Sequence, residues 1–311
     1  MKRSRDDRGN VLVFTVAVLG ALLAVSALVV DVGSWFAKQR QLQGAVDAAV
    51  LAGAQDLPDT STATSTAQTY ATTNVPALAS FAPTFPDTGT IDVRVSESAP
   101  GRFAKLLGVS SVTIHAHARA FIGVPGQMKN VAPVAVKASA ACTTLSCFGT
   151  RMTLNFNEGS LSSSKFGLVS LSCQGNTATQ CSSSSTGSSD LTNWIANGYP
   201  GYLNVGKWYA AVSGQKIGPV RDTLSQMGTA GTTLLFPVYD VANNTAYAFH
   251  VIGWAAFVID NGGVTSWKND APSCEPNCKV ITGHFTRYVA EGVPGTPSPT
   301  NYGVRTIELS Q

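Results

Sequence analysis

The chain has 311 residues, which is enough for one or two domains with a buried core, and only 13% of them are charged. That fraction is about half of the usual share for a soluble globular protein. The net charge of +3 is small, and four of the 21 basic residues lie within the first eight positions. Because nucleic-acid-binding domains concentrate Lys and Arg on one face, this distribution argues against a nucleic-acid partner.

Residues Val11–Val30 form a run of twenty residues without a charge. A helix rises about 1.5 Å per residue, so the run covers roughly 30 Å, the thickness of the hydrocarbon core of a bilayer. Lys2, Arg3, Arg5 and Arg8 precede it. The positive-inside rule therefore predicts a single-pass protein of the cytoplasmic membrane, with residues 1–10 as a cytoplasmic tail and the bulk of the chain extracytoplasmic.

A cleaved secretory signal is the alternative for this run, because Ala24-Val25-Ser26-Ala27 offers a small-residue cleavage site. Against it, the run is long for the apolar part of a signal peptide, and the helical pattern continues past any such cut. Both interpretations place the residues after position 31 outside the cytoplasm.

Beyond the apolar run the pattern becomes amphipathic, with Leu42, Val46 and Leu57 at helical spacing. One unbroken helix over 11–57 is therefore predicted, and Pro58 ends it. Small residues four apart let two helix backbones approach closely. Two such ladders run along this helix: Gly44, Ala48 and Ala52, and Ala45, Ala49 and Gly53. They pack either against the chain's own domain or against other helices in an assembly.

Asp31 is the polar residue at the outer end of the apolar run. An ionisable group is tolerated at the membrane edge because it can reach water. It either marks the interface or, as a candidate functional residue, pairs with a basic or N-terminal group on a neighbouring helix.

Three motifs occur in order along this stretch: Arg8-Gly9-Asn10-Val11, Val30-Asp31-Val32-Gly33 after the apolar run, and QLQGAVDAAVLAGA at 41–54. Together they resemble the N-terminal signature of TadE/TadG-like proteins, which belong to the tight-adherence (Flp pilus) assembly systems of bacteria and archaea. The resemblance implies a mostly extracytoplasmic membrane protein that takes part in assembling or anchoring a pilus. Its implied partners are the lipid bilayer and other pilus-assembly membrane proteins or pilin.

Two features depart from that family pattern. Some members are cleaved after a Gly and carry a Glu at the fifth mature position, but the fifth residue after Gly9 is Phe14, so we expect no such processing. Long members can carry a von Willebrand factor type A domain with an Asp-x-Ser-x-Ser metal motif. Asp31-Val32-Gly33-Ser34 does not satisfy that motif, so we expect no metal-dependent adhesion.

The region 58–123 is predicted to be a small α+β module. Asp59–Asn74 favours a helix, and the prolines of Pro76–Thr88 indicate a loop. Apolar residues alternate around Val93 and again over Ser111–Ile122, which predicts two strands. Between them, Arg102–Leu107 fits a short helix closed by Gly108.

After a boundary at 123–130, residues 131–311 are predicted to form a β-rich extracytoplasmic domain. Its predicted strands share apolar, β-branched or aromatic composition: Val131–Val136, Thr232–Tyr239, Tyr247–Ile259, His284–Val289 and Val304–Leu309. Short helices are predicted at Leu191–Ala196 and Pro219–Met227. The fold class is therefore α+β, with a long transmembrane helix that continues outside the membrane.

All six cysteines follow the apolar run, as expected for disulfides in an oxidising compartment. Six cysteines allow fifteen connectivities. Short loops favour three local pairs: Cys142 with Cys147, Cys173 with Cys181, and Cys274 with Cys278. A metal site is the alternative, because Cys274-Glu-Pro-Asn-Cys278 has zinc-like spacing, but the other pairs do not repeat it.

The sequence shows no catalytic, cofactor-binding or metal-binding constellation. His115 and His117 share a strand face, but no carboxylate or cysteine stands nearby in sequence, so a solvated face is the preferred interpretation. Gly-x-Ser-x-Gly, His-Glu-x-x-His and phosphate-loop motifs are absent. We expect a structural component rather than an enzyme, without a cofactor. The alternative is an exported envelope enzyme or solute-binding protein on a membrane tether.

Overall fold

The computed structural model describes residues 8–157, 161–181, 186–212, 217–264, 278–290, 292–294 and 300–310. The chain divides into two compact units, Met1–Ile122 with Ile307–Gln311, and Gly123–Thr306. The predicted α+β class is confirmed, with a long N-terminal helix ahead of a β-rich region.

Helix α1 (Arg8–Ala54) is continuous over 47 residues, as the unbroken helical pattern predicts. Its first half exposes its apolar side chains, among them Leu12 and Phe14 at 70% each. Its second half buries Leu42 and Val46 completely. The same helix therefore presents an apolar surface at one end and a packed face at the other.

Helix α2 (Thr60–Asn74) confirms the second predicted helix. The carboxylate of Asp59 caps its N-terminus by accepting hydrogen bonds from the backbone N–H groups of Ser61 and Thr62, both at 3.1 Å. Three alanines form the buried face of the helix: Ala63, Ala67 and Ala71. This face packs against α1 and belongs to the core of the first unit.

An antiparallel sheet completes the first unit, with strands β1 (Leu78–Thr84), β2 (Thr90–Pro100) and β3 (Ser111–Gly123) in that order. The loop predicted at Pro76–Thr88 is wrong, because β1 is a strand there. It pairs with β2 alone and is mostly exposed, so it lacks an apolar alternation. An edge strand also tolerates proline, as Pro83 shows.

A short 3₁₀ helix, Ala104–Leu107, connects β2 to β3 where the sequence predicts a short helix. It ends at Gly108, whose φ of 88° lies in the left-handed region that favours glycine. The connection is thus a compact turn at the end of the β2–β3 ladder.

Most strands of the second unit form a seven-stranded sheet and a three-stranded one. In chain order, the strands from here to the C-terminus are β4 (Pro125–Met128), β5 (Val134–Lys137), β6 (Arg151–Asn157), β7 (Phe166–Leu168), β8 (Leu203–Asn204), β9 (Lys207–Ala210), β10 (Thr233–Asn243), β11 (Ala248–Ile259), β12 (Cys278–Thr286), β13 (Tyr288–Val289), β14 (Gly292–Pro294) and β15 (Val304–Ser310). Two helices accompany them, α3 (Ser188–Asn197) and α4 (Ile217–Ala230).

The larger sheet has the order β6-β12-β11-β10-β5-β7, and β9 also pairs with β11. Its centre is the antiparallel hairpin β10–β11, which turns just after Asn243. The inner positions carry large aromatic side chains, including Phe236, Phe257 and Phe285, all fully buried. These rings fill the core of the second unit.

The last residues of the chain group with the first unit, although they follow the second unit in sequence. Residues 307–311 of the chain belong to the first unit. The end of β15 lies next to β3, and Ile307 packs against the first unit's core. The edge of β3 offers backbone partners and the core offers apolar contact, which explains why the last strand returns there.

Candidate functional site

The first candidate feature is the apolar half of α1. Among the described residues, α1 is the one helix long and apolar enough to cross a membrane. Side chains over Val11–Val30 are almost all exposed. A contiguous apolar surface of this size marks a membrane or protein contact rather than a water-facing surface.

Asp31 lies where the apolar half ends, and its side chain is fully buried. Its carboxylate accepts hydrogen bonds from three successive backbone N–H groups, those of Arg102 (3.1 Å), Phe103 (2.8 Å) and Ala104. These groups start the 3₁₀ helix Ala104–Leu107 and would otherwise lack partners. Asp31 therefore pins the β2–β3 connection onto α1.

From sequence, Asp31 is expected to mark the interface or to pair with a basic or N-terminal group on a neighbouring helix, and its hydrogen bonds from backbone N–H groups are of neither kind. Backbone donors carry no side-chain signature, which is why the partner was missed. The one available signal was the short helix predicted at Arg102–Leu107, because a helix start needs an acceptor for its free N–H groups.

Three further contacts seat the next turns of α1 on the β2–β3 hairpin. Trp35 donates its indole N–H to the carbonyl of Pro100 at 3.2 Å. Lys38 Nζ lies 2.7 Å from the buried carboxylate of Glu97. Gln43 donates to the carbonyl of His117 at 2.9 Å. Together with Asp31, these contacts fix α1 to the hairpin over more than three turns.

The two small-residue ladders have different surroundings. Ala45, Ala49 and Gly53 are buried in the core of the first unit. A Cβ added to Gly53 would lie 2.8 Å from the carbonyl oxygen of Ala63, so glycine permits the close approach of α2. In the other ladder, Ala52 is buried, Ala48 is half-buried and Gly44 is exposed with nothing near its added Cβ.

A charged cluster lies on the hairpin beside α1. The buried Asp92 carboxylate accepts hydrogen bonds from Arg119 at 2.8 Å and lies 2.8 Å from His117 Nε2. Burial alone would raise the pKa of Asp92, but the hydrogen bonds from Arg119 and His117 outweigh it and hold the pKa below its ordinary value. His115 is exposed. His117 thus has a carboxylate partner that sequence distance concealed, because Asp92 lies on the neighbouring strand.

Two of the expected cysteine pairs lie at disulfide-bonding distance, Cys142 with Cys147 and Cys173 with Cys181. Both pairs lie in the second unit. The expected pair of Cys274 and Cys278 lies outside the described residues, since Cys274 and the side chain of Cys278 are not described. Within the described ranges, no group of three or more His, Cys, Asp or Glu side chains is placed to hold a metal ion.

The comparison with known families finds a match to the segment that contains α1. Residues 9–56 match the family described as putative Flp pilus-assembly TadE/G-like. No curated protein matches the chain. No solved structure matches it either. The match confirms the resemblance seen in the sequence, and it associates the chain with Flp pilus assembly.

Proposed function

We propose that this chain is a structural component of a Flp-type pilus-assembly system, held in the cytoplasmic membrane by α1. The observation that carries the proposal is that the TadE/G-like match covers α1 from its apolar start to its packed end. The matched segment thus contains both a candidate membrane span and the face that joins it to a folded module.

The proposed topology places the N-terminus in the cytoplasm and both units outside. The four basic residues before the apolar run favour this direction. Two cysteine pairs at disulfide distance in the second unit agree with an oxidising extracytoplasmic compartment.

The mechanical role follows from the continuity of α1. Asp31, Trp35, Lys38 and Gln43 hold the helix to the β2–β3 hairpin immediately beyond the apolar half. A helix that leaves the bilayer and is fixed at once to a folded module holds that module at a set height and orientation over the membrane. Such a module can present a fixed surface to pilin or to other assembly proteins.

Deletion of the gene, followed by counting surface pili by electron microscopy, tests the proposal. Loss of pili with normal cellular pilin, restored by the wild-type chain, is the expected result. Normal pili in the deletion strain would contradict the structural role and favour a tethered envelope enzyme or solute-binding protein.

A further inference from the structure

The β2–β3 connection, which we name the wedge loop (residues 101–110), exposes an apolar surface that anchoring by α1 does not require. Phe103 is 44% exposed, Leu106 is 86% exposed and Leu107 is 80% exposed. Neighbouring exposed leucines of this kind mark a contact with a membrane or a partner.

The exposed side chains lie beside the apolar half of α1. Phe103 and Leu106 form one side of an apolar cleft of about 490 Å³, and α1 forms the other side from Leu23 to Val30. That stretch of helix rises about 10 Å. Because Asp31 pins the loop at the end of the apolar run, the loop extends from Asp31 back towards the N-terminus of α1. When Val11–Val30 crosses a bilayer, the wedge loop therefore lies at the depth of its outer leaflet.

Most backbone N–H groups of the wedge loop have hydrogen-bond acceptors within the protein. The carboxylate of Asp31 accepts hydrogen bonds from the backbone N–H groups of residues 102–104. The N–H groups of residues 101, 106, 108 and 109 donate to carbonyls within the same loop at 2.9–3.1 Å. Seven of the ten loop residues thus have an acceptor within the protein for their N–H group, and backbone donors in a hydrocarbon phase must be satisfied internally.

Two cationic side chains, Arg102 and Lys105, are also exposed on the loop. Long basic side chains next to an apolar surface reach the phosphate level of a bilayer while their stems stay in the apolar region. The combination of leucines and basic residues fits an anionic phospholipid surface better than the apolar flank of a partner helix.

We infer that the wedge loop inserts its three exposed apolar side chains among the acyl chains of the outer leaflet, with its two basic side chains at the phosphates. The cleft beside α1 is then filled by lipid. This inference rests on the proposed crossing of the membrane by α1. It gives the first unit a second membrane contact, which restricts the tilt and rotation of α1.

Spin labels on the 311-residue chain in vesicles of phosphatidylethanolamine and phosphatidylglycerol test the inference. Leu106→Cys reports on the loop, Val18→Cys on the apolar half of α1, and Gln68→Cys on an exposed position of α2. The unsubstituted chain is labelled in parallel as background, and Leu107→Cys is a second reporter in the loop. Collision rates are measured with oxygen, which partitions into lipid, and with a water-soluble nickel complex.

The expected result is that the labels at 106 and 107 resemble the label at 18, with an oxygen-to-nickel ratio several-fold higher than at 68. A water-like ratio at 106 and 107 with a lipid-like ratio at 18 would overturn the wedge and leave the anchor standing. Water-like ratios at all positions would overturn both. Labels at 106 and 107 shielded from both reagents would assign the surface to a second copy of this chain and overturn the lipid contact.

Discussion

The hydrophobic cores of the two units are built from different kinds of side chain. Within the described residues, the core of the first unit is aliphatic and rich in alanine and valine, as at Ala49, Ala67 and Val93. The core of the second unit is dominated by large rings, such as Phe249, Trp254 and Phe257. Small side chains let helices and sheet approach closely, whereas rings hold layers apart and fill the space between them.

This difference bears on where function can be assigned. The family match lies wholly in the first unit, on a helix whose small residues set its distance from α2. The second unit carries the two cysteine pairs and an aromatic core, and the matched residues 9–56 do not extend into it. The assembly proposal therefore rests on the first unit.

The largest expected effect is the loss of a ring from the second core. Phe257 is fully buried, with ring centroids of Phe236 at 5.6 Å and Phe285 at 4.9 Å. We expect Phe257→Ala to destabilise this unit by about 3–5 kcal/mol, because it leaves a cavity between layers. Hydrogen exchange of β11 amides in detergent measures the loss. Tyr288→Ala, at a 40% exposed position, is the control, and an equal effect of both changes would contradict an aromatic core.

A smaller loss of stability is expected when one methyl group is added to the core of the first unit. Gly53→Ala should destabilise the α1–α2 contact by about 1–3 kcal/mol, because the new Cβ meets the Ala63 carbonyl at 2.8 Å. Gly44→Ala is the matched control, and we expect it to stabilise the helix by up to about 1 kcal/mol, since nothing lies near its added Cβ. Hydrogen exchange of the α2 amides measures the change in stability for both variants. A neutral Gly53→Ala would show that the first unit is not closely packed.

Replacing Asp31 should affect mainly the β2–β3 connection that it holds to α1. We expect Asp31→Asn to speed exchange of the Phe103 and Ala104 amides on the order of tenfold, because it removes a charged acceptor. Asp87→Asn removes a carboxylate from another turn of the same unit and should leave those amides unchanged. Pilus counts in the Asp31 variant test whether the pin also matters for assembly. Unchanged exchange at both amides would exclude Asp31 as their acceptor.

The smallest expected effect is the acid sensitivity of the first unit. The pKa of Asp92 is lowered in the folded chain, so its contribution is present above the unfolded pKa of about 3.9 and is lost as pH falls through the folded value. Asp92→Asn should therefore reduce stability at pH 7, and the loss should shrink as the pH falls below the unfolded pKa. Exchange of β3 amides across this pH range measures the loss, and a loss that does not change with pH would contradict the linkage.

Most of the helical framework could be predicted from sequence, because its signals are local. The charge-free run, the apolar spacing through Leu42 and Val46, and Pro58 define α1 in outline, and Asp59 precedes α2 as a capping residue. The strand β1 was missed because an exposed edge strand shows neither burial nor alternation, and Pro83 argues against a strand.

The contacts that make the site could not be predicted in the same way. Asp31 accepts hydrogen bonds from backbone N–H groups 71 to 73 residues away, and backbone donors cannot be recognised from residue type. The pair of Asp92 and His117 depends on the register of β2 and β3, which sets Asp92 opposite Arg119. Likewise, the ladder Ala45, Ala49 and Gly53 looks the same in sequence whether it faces α2 or another protein.

On the proposed topology, α1 is one rigid helix whose first half lies in the bilayer and whose second half is fixed to the first unit. Hydrogen exchange along α1, measured on the chain reconstituted in lipid nanodiscs, decides whether the helix is continuous across the membrane edge. We expect slow exchange throughout: over Val11–Val30 because the bilayer excludes water, over 42–54 because the helix is packed, and over 31–41 because the helix is unbroken. Rapid exchange confined to 31–41 would reveal a hinge there and contradict the claim.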